Sequence, residues 1–327
     1  MDENIIKRKF LETISKLKRY DKAYYDKSSP VISDSEYDLL KKSIIDLQKK
    51  YKFLKDIDSP SKEVGFKPSK NFKKKNHKVP MLSLANAFDE NDLINFEKKI
   101  KNYLNSNEEF QIEYSVEPKI DGISASLIYE KGKFITGLSR GDGKEGEDIT
   151  VNLKTISDIP VIIEDKDFPT EIDIRGEVYI NNTDFGTLKG KFANPRNAAS
   201  GSLRQKNPND TKKIPLKFIA YTFGHEKNLN VENQTSFLTK LNKWGFKINP
   251  LNKKITGIKN LIQNYNKTEK IRNSLLLVMG PWVPWAPMGS NGPHGLHFPC
   301  GHFGDIPHVI ILGIFPIRCG HFKHTSQ

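Results

Sequence analysis

Val116-Glu117-Pro118-Lys119-Ile120-Asp121-Gly122 sets a lysine, an acid and a glycine in K-x-D-G register just before a segment with hairpin spacing. Ile123 to Tyr129 alternates apolar with small polar residues, Lys131-Gly132-Lys133 supplies a turn, and Phe134 to Leu138 returns. The pattern predicts that Lys119 stands on a loop held by a rigid sheet, a suitable place for a nucleophile. An amine attacks only when deprotonated, and neighbouring cations or a drier pocket favour that form.

Outward from this loop, Ile6, Phe10, Ile14 and Leu17, and then Leu40, Ile44 and Leu47, recur at helical spacing. They predict two helices, over 4–18 and 35–51, in an N-terminal helical unit of residues 1–70. Arg19 to Tyr25 and Pro30 read as the connection, and Ser33-Asp34-Ser35-Glu36 has the S-x-x-E form of a capping box. Asp58-Ser59-Pro60-Ser61 and the basic stretch Lys67 to Lys78 read as a linker. Lys73-Lys74-Lys75 within it reads first as a solvated run and only secondarily as a DNA phosphate contact. A second domain is assigned to 71–276, with helices expected over 89–104 and 234–243 and strands over 171–180 and 216–223. Without a βαβ rhythm, this mixture reads as α+β.

Composition bounds the function more loosely. With 327 residues, 36% hydrophobic and 28% charged, the chain reads as a soluble globular protein of two domains. No apolar run approaches the roughly 18 to 20 residues of a spanning helix, and Met1-Asp2-Glu3-Asn4 is unlike a secretory signal, so the expected compartment is the cytoplasm. A net charge of +13 suits a polyanionic partner, although a lysine-rich proteome gives the same bias. There is no P-loop, G-x-G-x-x-G or C-x-x-C pattern, so any bound phosphate must be held by side chains.

Three arginine-bearing segments follow Lys119: Ser139-Arg140-Gly141-Asp142-Gly143 with Gly146-Glu147-Asp148, then Arg175-Gly176-Glu177, then Asn194-Pro195-Arg196-Asn197-Ala198-Ala199-Ser200-Gly201-Ser202-Leu203-Arg204-Gln205. In this order with K-x-D-G they resemble the adenylation domain of bacterial NAD-dependent DNA ligases, from the first helix to about Leu275. K-x-D-G alone is shared with ATP-dependent ligases and capping enzymes, whereas the ordered set is specific. The resemblance implies a nucleotidyltransferase fold of mainly antiparallel sheets with flanking helices. It also implies that Lys119 is the adenylylated nucleophile, that Arg140, Arg196 and Arg204 lie near the adenylate, and that Glu117 accepts from the adenine amine. Ser83 and Leu84 would line the base pocket, Tyr221 would form an aromatic lid, Glu177 would hold ribose hydroxyls or a metal-bound water, and Asp121 would orient the lysine loop. Tyr24, Tyr25, Asp34, Tyr37 and Asp38 match the helical motif that binds the nicotinamide mononucleotide half, where aromatic faces and carboxylates suit a cationic pyridinium.

Other residues allow plainer readings: Asp34 as a helix cap, Tyr37 as core, and Glu177 as a structural partner of Arg175. The function implied is NAD-dependent DNA ligation by a monomer, with NAD as adenylate donor, Mg²⁺ assisting and nicked duplex DNA as partner in replication and repair. The alternative is a non-catalytic NAD- or DNA-binding remnant. An ATP-dependent ligase or capping enzyme disagrees with the Tyr24 to Asp38 pattern.

The likeness fails beyond Arg272, which matches an arginine that the family follows with D-G-x-V-x-K and later K-F-P-A; neither occurs here. After Ser274 the chain holds only Arg318, Lys323 and Asp305 as charged residues, with both cysteines and six of the eight histidines. Residues 277–327 therefore read as a Gly/Pro/His-rich tail foreign to the family, most simply from a reading-frame shift near residue 276. The family's oligonucleotide-binding, zinc, helix-hairpin-helix and BRCT modules are not found. Such a chain is expected to load adenylate poorly and not to seal nicks. Cys300-Gly301-His302-Phe303 and Cys319-Gly320-His321-Phe322 repeat a tetrad with zinc-ligand types, but C-x-H gives two ligands little reach to one ion, so no metal site is assigned.

Overall fold

The computed structural model describes residues 3–25, 32, 34–55, 57, 72–82, 90–188, 190–192 and 194–271. The N-terminal unit is a pair of helices, α1 (Glu3–Tyr25) and α2 (Asp34–Lys50), with a 3₁₀ turn at Lys52–Leu54. Ile6, Phe10, Ile14 and Leu17 of α1 meet Ile44 and Leu54 in their own core. Helix α1 corrects the sequence reading, because Arg19 to Tyr25 continue it instead of forming a loop. No glycine or proline interrupts that segment; the first breaker is Pro30.

The remaining elements run, in chain order, β1 (Lys74–Asn76), α3 (Glu90–Tyr103), β2 (Glu113–Val116), β3 (Ile123–Glu130), β4 (Lys133–Ser139), β5 (Glu145–Glu147), α4 (Thr150–Leu153) and β6 (Glu171–Tyr179). After them come α5 (Asn182–Gly186), α6 (Pro195–Leu203), α7 (Pro208–Lys212), β7 (Lys217–Lys227), α8 (Gln234–Lys243), β8 (Lys253–Thr256) and α9 (Ile258–Ile271). Strands β4-β3-β6-β7 form an antiparallel sheet, and β1-β5 and β2-β8 form two antiparallel ribbons. The architecture is α+β, as the alternating segments predict. Lys131 (φ 48°) and Gly132 (φ 75°) both take left-handed backbone, the requirement of a two-residue type I′ turn, and this joins β3 to β4.

Strand periodicity divides the four-stranded sheet. Ile172, Ile174 and Val178 face a core with Ala125, Leu127 and Tyr129 of β3, Ala198, Ala199 and Leu203 of α6, and Phe237 and Leu241 of α8. Each fully buried large side chain contributes about 1.5 to 3 kcal/mol. The opposite face carries Asp173, Arg175 and Glu177, also buried, so its polar groups must find partners within the protein. A second core, built from Leu93, Phe96 and Ile100 of α3, Tyr114 and Val116 of β2 and Leu261 of α9, supports the strand that leads into Lys119.

Lys74–Asn76 corrects the linker reading. It is a strand whose register pairs Lys74 with Glu147 and Asn76 with Glu145, while Lys75 reaches Asp148 at 3.0 Å. Carboxylates some 70 residues away turn a basic run into an edge of the domain. No helix among the described residues is long and apolar enough to cross a membrane.

Candidate active site

A polar row crosses the sheet. The Arg140 amide donates to the Ser124 carbonyl, Ser124 stands opposite Glu177, and the Ser124 hydroxyl donates to Glu177 Oε2 at 2.9 Å. Burial pushes the Glu177 carboxyl up to about 7, although the positive charges of Arg196, Lys119 and Arg140 pull against it. Those three cations therefore all lie near enough to act on one buried acid. Tyr221 on β7 is buried beside it, its hydroxyl pushed well up by burial and then by Glu177's charge.

The raised acid has a testable consequence. Folded Glu177 holds its proton to about pH 7, whereas an unfolded glutamate releases it near 4.5, so its contribution to stability is present below about 4.5 and lost as pH rises to 7. Glu177→Gln should match the parent near pH 4.5 and exceed it at pH 8 by roughly 2 to 3 kcal/mol. Urea midpoints at the two pH values measure this, and a variant with the parent's pH dependence would refute it.

Five anchors fix the loop that carries Lys119. Gln234 Nε2 donates to Glu117 Oε1 at 2.8 Å, Asn249 Nδ2 reaches the Pro118 carbonyl at 3.4 Å, and Ile120 packs on Tyr179 and Ile219. Arg196 Nη1 donates to Asp121 Oδ1 at 3.0 Å. Gly122 then presses against β6, where a Cβ would overlap the Val178 carbonyl oxygen and stand 2.9 Å from Glu177 Cγ. That close approach explains the glycine of K-x-D-G. Gly122→Ala should cost about 1 to 3 kcal/mol through overpacking, read from the denaturation midpoint. A midpoint equal to the parent's would refute the tight contact.

Helix α6 places its two arginines apart. Asn194 caps it by accepting from the Asn197 amide at 2.7 Å, and Pro195 opens it, so N-P-R-N is a helix start. Arg196 thus faces Asp121 from the first turn. Arg204 lies eight positions later, roughly 12 Å along the axis, where Nε donates to the buried Glu147 Oε2 at 2.9 Å and Nη1 to Ser200 Oγ at 3.2 Å.

Glu117 is half-buried, and burial pushes its carboxyl up to about 7 against the hydrogen bonds from Gln234 and Ser115. Two raised carboxyls thus flank the Lys119 loop, and Gln234 links the first of them to the Tyr221 carbonyl beside the second.

A family model for the NAD-dependent DNA ligase adenylation domain matches residues 69–280, and one for the DNA ligase-like N-terminal NAD⁺-binding domain matches 3–65. The chain belongs to the NAD-dependent DNA ligases. It is 64% identical to the DNA ligase of Pelagibacter ubique over 275 residues, covering 84% of this chain and 41% of that protein. The DNA ligase of Parvibaculum lavamentivorans is 45% identical over 269 residues, 80% of this chain and 38% of that one. The chain thus spans about two fifths of the length of these curated relatives. A solved ATP-dependent DNA ligase from bacteriophage T7, in complex with ATP, superimposes with TM-score 0.31 at 15% identity over 64% of this chain and 68% of that one.

Among the residues singled out as ligase-like, Lys119, Arg140 and Arg196 act on Glu177, Asp121 is joined to Arg196, Tyr221 lies beside Glu177 and Glu117 reaches the Tyr221 carbonyl through Gln234, whereas Arg204 stands at the far end of α6 on Glu147. Tyr221 is a buried residue of the sheet, so it can underlie a base as floor and not close over it as a lid. Tyr37 packs on the helical core, in agreement with its plainer reading. The side chains of Tyr24, Tyr25, Asp34 and Asp38, and residues Ser83, Leu84, Arg272 and 277–327, lie outside the described residues.

Sequence reasoning missed several partners. Arg175 does not pair with Glu177. Its Nε and Nη2 donate to Asp173 Oδ2 at 3.2 Å, and Nη1 and Nη2 donate to the Pro80 and Val79 carbonyls, tying the segment before Met81 to the sheet. His77 Nε2 lies 3.1 Å from the Arg140 carbonyl, with its imidazole pKa lowered chiefly by burial. Gln234, Ser124 and Asn249 were equally invisible, since each acts on a residue at least 53 positions away.

Proposed function

We propose that this chain performs the first step of NAD-dependent DNA ligation, transfer of adenylate from NAD to Lys119. The Lys119 Nζ lone pair attacks the α-phosphorus, and a nitrogen–phosphorus bond forms. The bond from that phosphorus to the bridging oxygen breaks, nicotinamide mononucleotide leaves with its electron pair, and the amine proton passes to solvent. Glu117 accepts from the adenine amine, Glu177 holds the ribose hydroxyls over Ser124 and Tyr221, and Arg196 and Arg140 offset charge on the phosphate oxygens. Asp121 keeps Arg196 and the lysine loop in register. Arg204 steadies this end of the site through Glu147.

The observation that carries this reading is the meeting of Arg196 with Asp121, and of both Arg196 and Lys119 with Glu177, from segments up to 75 positions apart. Among the described residues no three His, Cys, Asp or Glu side chains group to hold a metal. A single carboxylate such as Glu177 suits Mg²⁺ that arrives on substrate phosphates and keeps most of its waters, one of which Glu177 would accept from; such an ion would supply charge neutralisation. In the family's full reaction this step precedes transfer of AMP to a 5′-phosphate and sealing by a 3′-hydroxyl at nicked DNA, in replication and repair; this chain, a cytoplasmic monomer in the same proposal, loads adenylate slowly and does not complete those later steps. The helical unit would bind the nicotinamide mononucleotide half through Tyr24, Tyr25, Asp34, Tyr37 and Asp38.

Incubation of the chain with NAD or with ATP, each labelled in its adenylate, tests the first step. Label should enter the protein from NAD and not from ATP, with one nicotinamide mononucleotide released per label. NAD binding without label would favour a purely binding role, and faster labelling from ATP would reverse the donor assignment.

A further inference from the structure

Gln234 is four-percent exposed and stands at the first position of α8, fixed there because Asn233 and Ser236 cap the helix reciprocally. Its side-chain nitrogen donates twice, to Glu117 Oε1 at 2.8 Å and to the Tyr221 carbonyl at 2.6 Å. Carboxylate and carbonyl oxygens only accept, so the amide nitrogen must face both, and its orientation is determined by the chemistry. Ser115 Oγ approaches the same Glu117 oxygen at 3.4 Å. Both bonds to Glu117 thus converge on Oε1. Among the described residues Oε2 takes no protein hydrogen bond, and it belongs to a side chain that is only half-buried.

We infer that Gln234 is the positioning residue for purine discrimination. By committing Oε1 to the protein, it presents Oε2 as an acceptor to position 6 of the base and so selects a 6-amino over a 6-oxo purine. The inference rests on the reading that Glu117 faces adenine. Its logic is that of charge state and direction together. A donor held against Oε1 favours the ionised carboxylate, which can accept from a 6-amino group but meets a 6-oxo group acceptor to acceptor. Removing that donor leaves an enclosed carboxyl that burial already pushes toward its neutral form. A neutral carboxyl can donate to a 6-oxo group, so the two bases become alike. The Tyr221 bond adds a second effect, because one amide then couples the base acceptor to the strand that carries the floor tyrosine.

The test is calorimetric binding of NAD and of its 6-oxo analogue, with hypoxanthine in place of adenine, to the full chain at pH 7.5. The parent should prefer NAD by at least about 10-fold, the scale of one hydrogen bond to a charged group. Gln234→Met, which keeps length and loses the donor, should bring the ratio of the two affinities to within about threefold of one. Gln234→Leu, which cannot donate at any pH, should act in the same direction and serves if the methionine variant does not fold. Gln234→Asn, which keeps an amide, should retain part of the discrimination. If both affinities fall together in Gln234→Met or Gln234→Leu while their ratio stays at the parent's value, Gln234 is merely structural and the inference is overturned. If the parent binds neither dinucleotide, the adenine-site reading itself fails, and the inference with it; if the parent binds both equally, only the inference does.

Discussion

Lys119→Ala should abolish adenylate transfer from labelled NAD, by on the order of 10³-fold or more, while leaving the fold intact. The loss is large because, among the described residues, that loop carries no other amine. Arg140 and Arg196 are guanidiniums, permanently protonated and without a free pair to donate. The fold should survive because none of the five loop anchors uses the lysine side chain: Glu117 stays on Gln234, Pro118 on Asn249, Ile120 in its cluster, Asp121 on Arg196 and Gly122 against β6. NAD affinity should therefore change by only a few fold. A stable variant that still took label at the parent's rate would remove Lys119 from the chemistry. Comparable thermal midpoints for parent and variant are the accompanying control.

Asp173→Ala should be the most damaging single change to stability, at about 3 to 5 kcal/mol. Asp173 and Arg175 are 4% and 5% exposed, and the carboxylate also accepts from Ser126 Oγ. Without it, a buried guanidinium retains, among the described residues, the Val79 and Pro80 carbonyls, which cannot neutralise it. Removing both charges, as in Asp173→Ala with Arg175→Met, should recover much of the loss, because no uncompensated ion is then left in the interior. Denaturant midpoints of the single and double variants measure the coupling. A single-variant loss below about 1 kcal/mol would mean that water reaches the pair.

What could be read from the residues was mostly short-range. The β3–β4 hairpin follows from alternation around Lys131-Gly132, and Gln234–Lys243 is a helix over the span its periodicity predicts. The strands that went unseen are the three- and four-residue ones, β1, β2, β5 and β8, too short for alternation to register. Lys74 to Asn76 misled for a further reason. A run of exposed lysines looks like linker until Glu145 to Asp148 are known to lie beside it.

The candidate site divides in the same way. Lys119, Glu177 and Arg196 could be named because the resemblance to ligases attaches roles to an ordered set of motifs. Their supporting residues carry no such mark. Asp173, Arg175 and Glu177 share one strand face, so alternation alone leaves the partner of Arg175 open. Register decides it, by setting Ser124 opposite Glu177 and Ser126 opposite Arg175. Gln234 lies 117 positions from Glu117, and only the packing of α8 beside β7 brings them together.

Peptide mass mapping of the chain after incubation with NAD tests the account most directly. One adenylate, joined by an acid-labile phosphoramidate bond, should be found on the peptide that contains Lys119. Adenylate on a different residue, or a chain that binds NAD through long incubation and never gains the mass of AMP, would contradict it.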